Sequence, residues 1–215
     1  MTGAVERKLV LATRNADKVR ELRQILDGAG LGVELVGADA YPEVPDVRES
    51  GVTFAANALL KAHALARATG LPAVADDSGL CVDVLGGAPG IFSARWSGRH
   101  GDDAANLALL LAQLGDVEAP EHRGAHFACA AALALPDGGE RVVEGRLDGV
   151  LRFAPEGANG FGYDPILQVE RLDAFGAGRT SAELSPEEKN AISHRGKAFR
   201  ALVPVLRELL GELPG

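Results

Sequence analysis

Two aspartates, Asp76 and Asp77, stand side by side at the end of the short apolar run 71–74, with Ser78 and Gly79 directly after them. Adjacent carboxylates raise each other's pKa and resist burial, so a fold that carries them must expose them or supply cations. Exposure would make this an Asp-Asp-Ser-Gly turn, whose residue types suit turns for backbone reasons alone. Compensation would make it a site. The choice depends on which other charged and polar residues the chain brings along.

The chain has 215 residues, 47% hydrophobic and 24% charged, without a repeat or a compositional break, and reads as one domain over 1–215. A chain of this size buries roughly 70% of its unfolded surface, enough for a substantial core. A net charge of -8 argues against a broad cationic surface for tracking nucleic acid. No membrane partner is expected either. The apolar stretch 107–111 with its flanks is far short of the ~20 residues a spanning helix needs, and the first residues lack a leader-like apolar region. Cys81 and Cys129 stand alone, without a C-x-x-C pair or metal-ligand spacing. They read as small buried hydrophobes in a reducing, cytoplasmic compartment.

In chain order, 8–13 predicts a strand, and Val19, Leu22, Ile25 and Leu26 predict a helix ended by Gly28 and Gly30. Such a strand-to-helix turn aims backbone N–H groups and the positive dipole end at an anion, which favours phosphate. Asn15 suits the cap. Lys18 opposes the dipole in the first turn and so asks for an anionic partner. Residues 33–36 predict a second strand, and 41–50, rich in Pro and acids, a loop. Thr53 caps a helix over 54–69, stopped by Gly70 and Pro72. Asn57 and Lys61, four residues apart, share one side of it.

Residues 86–90 form a Gly-Pro turn, and Asp102 or Asp103 starts a helix through Leu114 that reads as purely structural. The runs 125–135 and 141–151 flank Pro136-Asp137-Gly138-Gly139 and predict a hairpin, with His126 packed in its sheet. The loop 160–165 sets Phe161 and Tyr163 beside Asp164 among glycines, and either ring could stack on a base. Ser185-Pro186-Glu187-Glu188 is a capping box with Pro at the first helical position. After a restart at 193–197, Phe199, Leu202, Val203, Leu206, Leu209 and Leu210 continue a helical pattern despite Pro204. Neither a Walker-type phosphate loop nor a G-x-G-x-x-G pattern is present.

Seven segments, in order, then resemble one family: T-x-N-x-x-K at 13–18, E-S-G-x-T-F at 49–54, N-A-x-L-K at 57–61, A-D-D-S-G-L at 75–80, G-G-A-P-G-I at 86–91, F-G-Y-D-P at 161–165 and S-H-R-G at 193–196. The chain is similar over nearly its whole length to the inosine/xanthosine triphosphate pyrophosphatases. The resemblance implies an α/β fold: a curved mixed β-sheet flanked by helices, in two lobes with a central nucleotide cleft. It implies a Mg²⁺-dependent homodimer that hydrolyses dITP, ITP and XTP to the monophosphate and pyrophosphate. It also implies site roles. Thr13, Arg14, Asn15, Ala16, Asp17, Lys18 and Lys61 would hold phosphates, Glu49, Asp76 and Asp77 the metal, and Asp77 would act as base. Ser78, Phe161, Gly162, Tyr163, Asp164, Lys189, His194 and Arg195 would bind the nucleotide, with Asp77, Lys18 and Lys61 as the catalytic set.

Three positions depart from the family pattern: Arg14 where a small residue is common, Arg48 where an acid often precedes the glutamate, and Ala56 where an acid is common before the asparagine. A Maf-like pyrophosphatase with another base preference is the rival enzyme, against which the segments at Phe161 and Ser193 speak. A catalytically silent nucleotide binder, disfavoured by Asp77, Lys18 and Lys61 together, is the rival of another class. A plain structural α/β domain whose motifs are turns and caps is the third.

Overall fold

The computed structural model describes residues 8–212, apart from the side chains of Asp17, Leu210 and Glu212. Six strands form one mixed sheet: β1 Lys8–Leu11, β2 Glu34–Gly37, β3 Ala73–Val82, β4 Gly124–Ala134, β5 Glu140–Leu151 and β6 Leu167–Gln168. Their order is β2-β1-β3-β4-β5-β6. Strand β1 runs parallel to β2 and β3, whereas β5 and β6 are antiparallel. Among the described residues, five α-helices accompany the sheet: α1 Ala16–Gly28, α2 Phe54–Thr69, α3 Asp103–Gln113, α4 Pro186–Ile192 and α5 His194–Glu212.

The α/β class is therefore as expected, and several boundaries follow from local chemistry. Thr53 accepts from Ala56 N at 3.1 Å to cap α2, and Gly70 ends it in the left-handed region. Ser185 and Glu188 close the anticipated capping box on α4, and α5 passes through Pro204 without ending. The acidic pair, in contrast, is neither a turn nor a strand end. Strand β3 runs straight through Asp76 and Asp77 to Val82. Two causes are visible: the carboxylates are compensated by cations, and Gly79 lets the strand pass where a Cβ would collide with the Gly90 carbonyl oxygen and Ser93 Oγ.

The chain forms two compact units, 1–77 with 130–145 and 195–215, and 78–129 with 146–194. Strands β3, β4 and β5 each pass from one unit into the other. In the first unit, Val10, Ala73 and Ala75 of the parallel strands pack with Ala58, Ala62, Leu65 and Ala66 of α2. Small alanines on both partners allow this close helix-on-sheet layer, and continuous burial of 73–76 is typical of a parallel strand covered on both faces. The second unit is built on bulkier groups, among them Leu80, Leu110, Leu114, Phe127, Leu151, Tyr163 and Ile166.

One buried cation belongs to this second core. Arg123 is 1% exposed, and its guanidinium donates to four carbonyl oxygens: Leu114 at 3.0 Å, Val117 at 2.9 Å, Leu151 at 2.9 Å and Arg152 at 3.1 Å. The Phe153 ring covers it, 4.4 Å from the guanidinium carbon. Arg123 thus ties the segment after α3 to the end of β5 through four carbonyl oxygens.

Candidate functional site

The first unit gathers the charged residues. Strand β1 feeds α1 through Thr13, Arg14 and Asn15. Thr13 Oγ1 accepts from Asn15 N at 3.1 Å, and Asn15 Oδ1 accepts from Lys18 N at 3.4 Å, so this turn opens the helix as its residue types imply. Ala16 is the first helical residue. Arg14 reaches sideways to Asp46 Oδ1 at 3.3 Å and to the Val44 carbonyl at 3.0 Å, holding the acidic loop 41–50 against the turn. The side chain of Asp17 lies outside the described residues.

The anionic partner that Lys18 demands is Asp76. Lys18 Nζ lies 3.0 and 2.8 Å from its two oxygens, and Arg195 Nε lies 3.1 Å from Oδ2. Burial alone would push the Asp76 carboxyl up, but these two cations outweigh it and hold the group well below the usual carboxylate range. Asp77, one residue on, faces different company. Its Oδ2 accepts from Asn57 Nδ2 at 3.1 Å, and its Oδ1 lies 3.6 Å from Lys61 Nζ, which also donates to Glu49 Oε1 at 2.7 Å. Burial raises the Asp77 pKa, Lys61 opposes that, and the nearby Glu49 charge adds to it. Lys61 is stabilised as the cation: burial disfavours its charge, but Asp77 and Glu49 more than restore it.

Successive side chains on a strand point to opposite faces, and this separates the two aspartates by role. Asp76 is saturated by cations. Asp77 and Glu49 both face the Lys61 ammonium, so two carboxylates stand close together at this point. Among the described residues, no three His, Cys, Asp or Glu side chains form a ready-made metal cage. The donor set still fits magnesium, which binds through one or two carboxylates and fills its remaining positions with water and phosphate oxygens.

Asn57 belongs to this arrangement by its contacts. It is fully buried, its Oδ1 accepts from Gly51 N at 2.8 Å, and its amide orients Asp77. The i, i+4 spacing with Lys61 was the visible signal. A Cβ at Gly51 would press on Asn57, which explains the glycine after Glu49-Ser50.

The second unit holds the remaining residues. In the loop 160–164, Phe161 N donates to Asp164 Oδ2 at 2.8 Å, and the same oxygen takes Lys189 Nζ at 2.5 Å. Gly160 has φ +77, and a Cβ there would collide with Asp164, so only glycine serves. The two aromatic rings differ. Tyr163 is buried, with its hydroxyl donating to the Ser93 carbonyl at 2.9 Å, whereas Phe161 is 64% exposed with Lys189 Nζ 5.2 Å from its ring centre. Of the two, Phe161 is the ring open to stacking. His194 stacks on Phe127 at 5.0 Å, Ser193 is buried, and Ser78 sits in mid-strand on β3.

Lys18, Glu49, Lys61 and Arg195 thus meet around the aspartate pair, and Phe161 lies with Asp164 and Lys189 in the other unit. One contact leaves no sign in the sequence. Gly162 N donates to Asp103 Oδ2 at 2.9 Å, so the supposedly structural helix α3 touches this loop.

Comparison with known proteins agrees with the motif order. The Ham1 family model matches residues 9–205. A protein of Streptomyces avermitilis named dITP/XTP pyrophosphatase is 78% identical over 204 residues, covering 95% of this chain and 99% of that protein. Among solved structures, a HAM1 protein from Coxiella burnetii aligns with a TM-score of 0.84 at 40% identity, covering 94% of this chain and 98% of that one. A nucleoside-triphosphatase / dITP/XTP pyrophosphatase from Mycobacterium abscessus aligns with a TM-score of 0.76 at 56% identity, covering 93% and 100%. With a family model spanning nearly all of its length and relatives matched end to end, the chain belongs to the Ham1 family.

Proposed function

We propose that this protein is a nucleoside triphosphate pyrophosphatase that hydrolyses dITP, ITP and XTP to the monophosphate and pyrophosphate, removing deaminated purines from the nucleotide pool. The observation that carries this reading is the division of labour at Asp76-Asp77, one carboxylate saturated by Lys18 and Arg195, the other held by Asn57 beside Lys61 and Glu49. A triphosphate is strongly anionic. Lys18 and Lys61, with the β1–α1 turn at 13–16, supply cationic and N–H groups for it. Asp17 is included in that turn on the motif alone.

Magnesium is the cofactor in this proposal, held by Glu49 and Asp77 with Asp76 alongside, and it would neutralise phosphate charge and lower the pKa of a bound water. Asp77 accepts the proton of the attacking water. The water oxygen bonds to the α-phosphorus, the bond from that phosphorus to the bridging oxygen breaks, and pyrophosphate leaves. Asn57 keeps the accepting carboxylate oriented, and burial keeps it a better base than a solvated aspartate.

At the base end, Phe161 stacks, and Asp164, Lys189, His194 and Arg195 complete recognition, with Ser78, Gly162 and Tyr163 as scaffold. In this reading Arg195, whose Nε contacts Asp76, would pair with the O6 acceptor of a keto purine. An amino group there would leave a donor facing a donor, a cost of about 1–3 kcal/mol, or roughly 5- to 150-fold in selectivity. Guanine shares O6, so its exclusion requires a contact at the 2-position. We place the enzyme in the cytoplasm, as a homodimer, with the whole chain acting as one domain. No helix among the described residues is long and apolar enough to cross a membrane.

The test is a comparison of initial rates on ITP, dITP, XTP, GTP and ATP with magnesium present and with it chelated. The reading predicts pyrophosphate from the first three at rates far above the last two, lost on chelation. Equal rates on ATP would refute it.

A further inference from the structure

Helix α3 has a second role that its sequence conceals. Its N-terminus carries two aspartates, and the capping is done by the first: Asp102 Oδ1 accepts from Ala105 N at 3.1 Å. Asp103 is left to another task. Its Oδ2 accepts from Gly162 N at 2.9 Å, a contact 59 residues away in sequence.

This contact completes a set. Phe161 N is taken by Asp164, Gly162 N by Asp103, and the Tyr163 hydroxyl by the Ser93 carbonyl in the 3-10 segment Gly90–Arg95. The loop is therefore closed on itself at Asp164, which Lys189 holds, and tied to two other parts of the second unit, α3 and the 3-10 segment. Gly160 precedes the anchored residues and Gly162 is one of them, with φ +77 and +59. Glycines reach either hand of φ readily, so the anchors, not the backbone, decide the loop's conformation. The exposed product of this anchoring is the Phe161 ring.

We propose that Asp103 is a positioning residue for Phe161, holding the aromatic platform in the orientation that receives the purine. The proposal rests on the reading of 160–164 as the base-contact loop. With the anchor removed, Gly162 N turns to water, the loop samples several ring orientations, and only a fraction of molecules binds well. Apparent affinity falls by that fraction. The chemical step, carried by Asp77 and Lys61, is untouched, so KM changes and kcat does not.

The experiment uses the full-length protein and three variants. Asp103→Ala removes the acceptor, Asp103→Asn keeps an oxygen for Gly162 N, and Asp102→Ala removes the helix cap without touching the loop. Asp103→Ala is expected to raise KM for ITP by about three- to tenfold at unchanged kcat, the scale of one hydrogen bond, with Asp103→Asn within about twofold of wild type. Hydrogen exchange in a peptide covering 160–164 is expected to accelerate in Asp103→Ala alone. The proposal is overturned if the wild type hydrolyses ITP while Asp103→Ala keeps its KM, or if Asp102→Ala reproduces the effect, since fraying of α3 would then be the cause. If the wild type does not hydrolyse ITP, the parent reading fails; exchange at 160–164 then decides the anchoring by itself, and unchanged exchange overturns it.

Discussion

The aspartate pair in the first unit and the loop 160–164 in the second solve the same problem, holding a polar constellation still, by opposite means. The pair is fixed by ions: Lys18 and Arg195 on Asp76, and Lys61 between Asp77 and the loop residue Glu49, with every member but Glu49 on a strand or helix. The loop is fixed through backbone groups, with carboxylates and a hydroxyl gripping single N–H and C=O positions so that one ring stands exposed. In the proposed reading, charge at the pair suits the handling of phosphate, and a rigid apolar face at the loop suits the reading of a base. Perturbing each should therefore damage a different kinetic constant.

The largest expected effect is at the pair. Asp77→Asn removes the proton acceptor while keeping the Asn57 contact geometry, and kcat should fall by about 10³-fold, within the range for losing a general base, with the melting temperature little changed. A rate within tenfold of wild type would break the comparison, because the charge cluster would then serve only stability. Phe161→Ala tests the other side: loss of stacking should raise KM for ITP by roughly 5- to 150-fold with a much smaller change in kcat. Equal losses in kcat would place the ring in the chemical step instead.

Stability separates the two regions as well. Arg123→Met removes a donor from four carbonyls, of which Leu114 O keeps Val117 N, and should cost about 3–5 kcal/mol in denaturant unfolding, although no carboxylate pairs with the guanidinium. Preserved stability would mean that water replaces it.

The smallest effect is a pH dependence. The Asp76 carboxyl is depressed in the folded state, so its stabilisation is fully present above the unfolded aspartate value of about 3.9 and is lost as the pH falls through its lower folded value. Asp76→Asn should therefore flatten the acid limb of the stability curve relative to wild type while lowering stability at neutral pH. An unchanged acid limb would mean that the Lys18 and Arg195 contacts do not bias its ionisation.

The same contrast explains what could be read in advance. Lys18 in a first turn, Lys61 four residues from Asn57 and two adjacent aspartates announce themselves, because uncompensated charge demands a partner and spacing says which face seeks it. Helix α2 was legible to its ends because Thr53 and Gly70 terminate it by local hydrogen bonding and backbone hand. Strand β3 was not, since its continuation past Asp76 depends on cations and a tight crossing at Gly79 that lie far off in sequence. Nothing in the sequence marks Arg123 as buried, as carbonyl partners leave no mark in residue identity. Asp103 looked like a helix start, and nothing local distinguishes it from Asp102. The division of Phe161 from Tyr163, one exposed and one buried, likewise comes from packing that residue type does not encode.

The central claim is that the cluster around Asp77 directs water to the α-phosphorus. Hydrolysis of ITP in ¹⁸O-labelled water, followed by mass analysis of both products, tests it most directly. The account predicts a single labelled oxygen in IMP and none in pyrophosphate. Label in the pyrophosphate, or release of labelled orthophosphate, would place the attack on another phosphorus and contradict it.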